Sequence, residues 1–198
     1  MVLFRSQLMT ITHLERAKAF WAEMSAREHF VQIYQDEDTF VNTLTSFVNE
    51  ALQEGFTALV VATPVHHRKL EERLSQIGHD LAALQAQDQY ISLDAEAMMG
   101  EFMVNGSVDG ERFLQVATDI LARATKNGRN VRAFGEMVAI MWARGFYGAT
   151  VKLEYLWHQF CTENSFAMFC AYPEIGFAEN GSEAIAHICA AHSKILAI

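Results

Sequence analysis

Residues 35–40, QDEDTF, join a β-branched stretch to a helical one, the junction at which many α/β proteins cradle a phosphate. A phosphate loop needs backbone N–H groups freed by glycine, a lysine for the terminal phosphates and a hydroxyl for magnesium. QDEDTF has neither glycine nor lysine, and its three carboxylates repel a triphosphate. Asp36, Glu37 and Asp38 do suit the first turn of a helix, where acidic groups complement the dipole and cap free N–H groups. A divalent metal held by Asp36 and Asp38 has no further support in the sequence. The stretch therefore reads as a former nucleotide pocket, closed to phosphate and open to a neutral or cationic small molecule.

Glu136, in FGEM, stands just beyond a strand. A carboxylate there can serve as a general base or orient a ligand. The structural alternative is a helix cap, or a partner for Arg132 or Arg144. Gly135 before it is expected to permit a tight strand-to-helix turn.

The histidines carry weaker signals. His29 opens a strand and reads first as a hydrogen-bonded structural residue. His66 and His67 are adjacent on a helix and so point apart. His187 and His192 are off the helical i, i+4 spacing. His158 and Cys161 have i, i+3 spacing, but two more ligands would be needed, and there is no CxxC or HExxH. No metal or cofactor is therefore expected. There is no GxSxG nucleophile elbow either, and no cysteine sits in an obvious Cys–His arrangement. Cys170 and Tyr172 lie near the end of one strand, where they would face a pocket; for Cys170 the alternative is a small buried hydrophobe.

The elements that must position these groups alternate along the chain. HFVQIY (29–34), FTALVVAT (56–63), QYISLD (89–94), NVRAFGE (130–136) and SFAMFCAYP (165–173) read as strands. Helical patterns cover 37–55, 64–78, 109–128, 151–164 and 182–196, and an amphipathic helix is expected over 10–27. Gly55, Gly78 and Gly128 are helix stops and Pro64 a helix start. FTALVVAT is almost wholly apolar, as a strand covered on both faces must be. The expected fold is α/β, three-layered, with a mostly parallel central sheet and helices on both faces. Ligands of such sheets bind beyond the strand carboxyl ends. AMMGEFMV (97–104), with Met98 and Met99, is either a lid over an apolar ligand or a short core helix. Trp142, Phe146 and Tyr147 would line a pocket, form core or make a partner surface.

Five stretches together, HFVQIY, RAFGEMVAIMW (132–142), KLEYLW (152–157), FCAYP (169–173) and AHS (191–193), resemble the MEDS domain, the sensory domain named for methanogens, methylotrophs and the repressor of dichloromethane dehalogenase. The resemblance covers about residues 28–196. It implies a RecA/KaiC-like core without ATPase motifs, and a sensory role with small hydrocarbon derivatives as ligands. In that family the domain is often fused to a histidine kinase or DNA-binding module. No such module fits in the remaining residues, so signalling through a separate partner such as a histidine kinase is expected.

The division expected is a helical extension over 1–27 and a MEDS-like domain over 28–198. The chain has 198 residues, one domain's worth, with a net charge of −9 that disfavours nucleic acid and anionic membranes. No apolar run is long enough to span a membrane. With no secretory signal and only three scattered cysteines, Cys161, Cys170 and Cys189, a cytoplasmic location is expected. The leading expectation is a non-enzymatic regulator that binds a small, mostly apolar ligand through His29, Tyr34, Met98, Met99, Glu136, Trp142 and Tyr172, and that is compatible with homo-oligomerisation. The alternatives are a nucleotide-binding remnant without a P-loop, or a pure interaction adaptor of a histidine kinase or anti-sigma system.

Overall fold

The computed structural model describes Trp21, residues 25–177 and residues 182–197. The expected helix over 10–27 lies, apart from Trp21 and the last few positions, outside the described residues. Strands β1 (His29–Tyr34), β2 (Thr57–Ala62), β3 (Tyr90–Asp94), β6 (Val131–Gly135), β7 (Ala167–Pro173) and β8 (Lys194–Ala197) form one six-stranded sheet. Its order is β3-β2-β6-β7-β1-β8, and every neighbouring pair is parallel. Parallel pairing needs long crossovers, and the helices supply them.

One face is covered by α1 (Glu37–Gln53), α2 (Pro64–Ile77) and the short α3 (Leu81–Ala86). Its core holds Phe30, Phe40, Leu44, Phe47, Leu70, Phe134 and Phe169, with Trp21 packed among them. The other face is covered by α4 (Ala95–Phe102), α5 (Gly110–Thr125), α6 (Met137–Ala143), α7 (Tyr147–Asn164) and α9 (Ser182–Ala190). Between β7 and α9 runs the single turn α8 (Glu174–Phe177). All six residues of β2 are buried, as its apolar run requires.

The acidic turn does what helix capping asks of it. Asp36 Oδ1 accepts the Thr39 N–H at 2.7 Å and Oδ2 accepts the Thr39 hydroxyl at 2.6 Å. Asp38 pairs with Arg73 at 3.0 Å. Thr63 caps α2, Pro64 takes its first position, and Gly78 closes it at a φ of 107° that disfavours a side chain.

Beyond the short helices α3 and α6, which the expected pattern lacks, two elements differ from the expectation. The last helix stops at Ala190, and Lys194–Ala197 is a sixth strand paired with β1. Ser193 makes the switch: its hydroxyl accepts the His29 N–H and donates to the His29 carbonyl, so the chain docks on β1 before the strand begins. The second is a hairpin between α4 and α5, β4 (Met103–Val104) with β5 (Ser107–Val108), turned by Asn105 and Gly106 at φ 50° and 75°. AMMGEFMV is mostly core helix: Met98, Met99 and Phe102 are buried in α4. Gly135 does not adopt a left-handed φ, and a Cβ there would stand 2.7 Å from Met168 Cε, the flexible end of a side chain that can shift.

Candidate functional site

Two polar clusters stand out, one at the rim where strands end and one inside the core. The rim cluster is built by three chain segments. The Glu136 N–H donates to the Val61 carbonyl at 2.9 Å, which extends the β2–β6 ladder by one rung and brings Glu136 beside Thr63. Glu136 Oε2 accepts the Thr63 N–H at 2.7 Å, and Oε1 lies 2.7 Å from His66 Nδ1. His66 Nε2 is 3.1 Å from Glu37 Oε1, and Lys69 Nζ is 2.6 Å from Glu37 Oε2. A chain of alternating charge thus ties the starts of α1 and α2 to the end of β6. The edge of the His66 ring meets Phe40, which stacks on Tyr34 with centroids 4.7 Å apart.

Burial works to lower the His66 pKa, but the hydrogen bonds and charges of Glu136 and then Glu37 outweigh it and raise the value. Tyr34 is pushed up to about 12 by burial and by the Glu136 and Glu37 carboxylates. Glu136 has its oxygens engaged by Thr63 and His66, so the arrangement is a clamp rather than a free base. The structural alternative is corrected in its partners: Arg132 pairs with Glu54 and Arg144 with Glu96.

A folded-state pKa above the ordinary ~6.5 means that protonated His66 stabilises the fold fully below about pH 6.5, and that this contribution is lost as pH rises through the folded value. An NMR titration of the imidazole is expected to give an apparent pKa above 6.5 in the native protein. In Glu136→Gln it is expected to fall, because burial then weighs more. An unchanged value would contradict the clamp.

The second cluster lies under β1 and β7, facing α7 and α9. His29, Cys170, Tyr172, Glu154 and His192 meet there, and His29, Glu154, Cys170 and Tyr172 are each 0% exposed. His29 Nε2 is 3.3 Å from Cys170 Sγ and 3.4 Å from Glu154 Oε2. His192 Nε2 is also 3.4 Å from Glu154 Oε2, without hydrogen-bond geometry. The Tyr172 hydroxyl donates to Glu154 Oε1 at 2.5 Å. Burial pushes the Glu154 carboxyl up, but His192 and then His29 and Tyr172 more than offset it and hold it at about 2. Burial, and then His192, depress His29 to about 3.

The expected ligand residues are not gathered at one place. Glu136 and Tyr34 reach the rim, with Tyr34 on the α1 side of the sheet. His29 begins β1, at its opposite end, and faces the α7 side together with Tyr172. Met98, Met99 and Trp142 are packed in that same core, at 4%, 6% and 4% exposure. An open groove of about 770 Å³ lies beyond α2, lined by His67, Arg68, Glu71, Ser92 and Asp94. His66 and His67 do point apart, His67 Nε2 reaching the Leu93 carbonyl at 2.8 Å. Cys161 Sγ donates to the His158 carbonyl. The Cys–His arrangement that spacing did not reveal is His29–Cys170, whose members are 141 positions apart. Glu154 was the readable signal: a carboxylate in line with Trp157 and Cys161 on a buried helical stripe.

A parallel sheet wrapped on both faces, with an acidic turn where a phosphate loop would stand, defines a three-layer α/β domain. The chain belongs to the MEDS family, the methanogen/methylotroph, DcmR sensory domain, whose model matches residues 28–193. No curated protein matches it. Among the described residues no helix is long and apolar enough to cross a membrane.

Proposed function

We propose that this domain senses a small ligand at the strand carboxyl ends, through Tyr34, Glu37, His66 and Glu136, and passes the change to a separate signalling protein. The supporting observation is the Lys69–Glu37–His66–Glu136 chain. It crosses from α1 to α2 to the end of β6, so a ligand that competes for His66 or Glu37 alters how the two helix starts dock. Tyr34 and Phe40 offer an apolar wall beside it. The acidic turn favours neutral or cationic compounds over phosphates, and the family resemblance points to small hydrocarbon derivatives. In this reading the domain performs no catalysis, and its output partner in trans is a histidine kinase or similar regulator in the cytoplasm.

Thermal unfolding with a panel of small halogenated and other hydrocarbon derivatives tests the reading. A ligand at 100 times its Kd adds about 2.7 kcal/mol, roughly 5–10 °C for a domain of this size. The shift is expected from at least one such compound, and to disappear in His66→Ala and Glu136→Gln. A shift from Mg-ATP with none from the panel would overturn it in favour of a nucleotide-binding remnant.

A further inference from the structure

The buried cluster has a feature that a hydrogen-bonded core network does not. Both imidazoles are pinned through Nδ1 to backbone carbonyls: His29 Nδ1 lies 3.2 Å from the Ala191 carbonyl and His192 Nδ1 2.6 Å from the Ile188 carbonyl. A carbonyl can only accept, so each ring carries a proton on Nδ1 and turns Nε2 inward. Both Nε2 atoms converge on Glu154 Oε2, itself an acceptor, and the Cys170 thiol stands 3.4 Å from the same oxygen. His192 Nε2, fully buried, has no hydrogen-bond partner among the described residues. The two Nε2 atoms, Glu154 Oε2 and the Cys170 thiol thus share one small space, with the two rings 4.0 Å apart, too close for both to be imidazolium.

From this geometry we infer that His29 Nε2, His192 Nε2, Glu154 Oε2 and Cys170 Sγ form a binding site for a divalent transition-metal ion of the zinc type. The four ligand-bearing side chains have donor atoms within 4.8 Å of one another. Ligands at zinc bond lengths, disposed tetrahedrally, stand about 3.3–3.8 Å apart; the two Glu154–histidine spacings, Glu154–Cys170 and His29–Cys170 are 3.3 to 3.4 Å, and the spacings of His192 to His29 and to Cys170 lie within 4.8 Å. Borderline-soft nitrogen, oxygen and sulfur donors suit zinc, cobalt or iron rather than magnesium or calcium. Thiolate and carboxylate together neutralise a dication, and metal entry releases the thiol proton. Outer partners are already in place: the two carbonyls fix the histidine tautomers, and Tyr172 holds the other Glu154 oxygen. With four protein ligands the site is closed, as structural and regulatory sites are. It faces away from the rim and stands independently of the sensing proposal. Its four ligands come from HFVQIY, KLEYLW, FCAYP and AHS, one from each.

The test uses the full chain loaded with Zn²⁺ or Co²⁺ alone. About one metal per chain is expected, and the Co²⁺ form should show a thiolate charge-transfer band with tetrahedral d–d absorption. Cys170→Ser should lose that band, and Tyr172→Phe should keep it with about 10-fold weaker Co²⁺ binding. A Cys161→Ala/Cys189→Ala double variant should keep both band and stoichiometry, which assigns the sulfur even if Cys170→Ser does not fold. A folded native chain that takes up less than about one-tenth of an equivalent would overturn the site and leave a buried His192–Glu154 ion pair. Retention of the band in folded Cys170→Ser would overturn it equally.

Discussion

Glu154→Ala is expected to destabilise the domain by about 3–5 kcal/mol, the cost of removing one partner from a buried charge network. The carboxylate is 0% exposed and serves Tyr172, Cys170, His29 and His192 at once. Without it the Tyr172 hydroxyl loses its bond to Glu154, two imidazoles face each other with no anion between them, and a cavity opens beneath β1 and β7. For a domain of this size that corresponds to roughly 6–20 °C in Tm. Glu163→Ala, on the exposed end of the same helix, is expected to stay within about 0.5 kcal/mol. Urea unfolding of the pair checks both, and equal midpoints would show that the cluster carries no stability.

Phe169→Ala is the second large effect, about 3–5 kcal/mol. Phe169 lies in β7, fully buried, with ring centroids of Phe30, Phe134 and Phe47 at 4.9, 5.2 and 5.4 Å and Trp21 at 6.0 Å. Truncation removes the hub of that aromatic cluster, and α1 cannot settle into the space because its other side chains already rest on the sheet. Phe169→Leu keeps much of the volume and is expected to cost less. A fall in the urea midpoint at unchanged slope is the expected signature. A loss below about 1 kcal/mol for the alanine variant would mean that this face repacks freely.

The contrast between these residues shows what could be read from sequence. Phe169 sits in an apolar run, and such runs announce buried strands whatever their neighbours. The caps were equally local: Asp36 before Thr39 and Pro64 after Thr63 are decided within a turn. The buried cluster is not local. His29 and Cys170 touch only because β1 and β7 are parallel neighbours, a fact of topology that no spacing encodes. The rim was half legible: Glu136 was placed by the end of its strand, whereas its link to His66 depends on β2 and β6 being adjacent. β8 was hidden because LysIleLeuAla continues an apolar helical pattern, and only the docking of Ser193 on His29 ends it. Asn105–Gly106 was the local signal left unread, since Asn-Gly between apolar residues marks a tight hairpin.

In the proposed function, ligands are sensed at the carboxyl ends of the strands. Backbone amide chemical shifts, followed while the compound with the largest stabilising effect is titrated in, test it most directly. The perturbed amides are expected to cluster at residues 34–40, 62–69 and 135–137, and Glu136→Gln is expected to abolish the pattern. Perturbations confined to the groove beyond α2, around Glu71, Ser92 and Asp94, with the Glu136 and His66 amides unmoved, would contradict it.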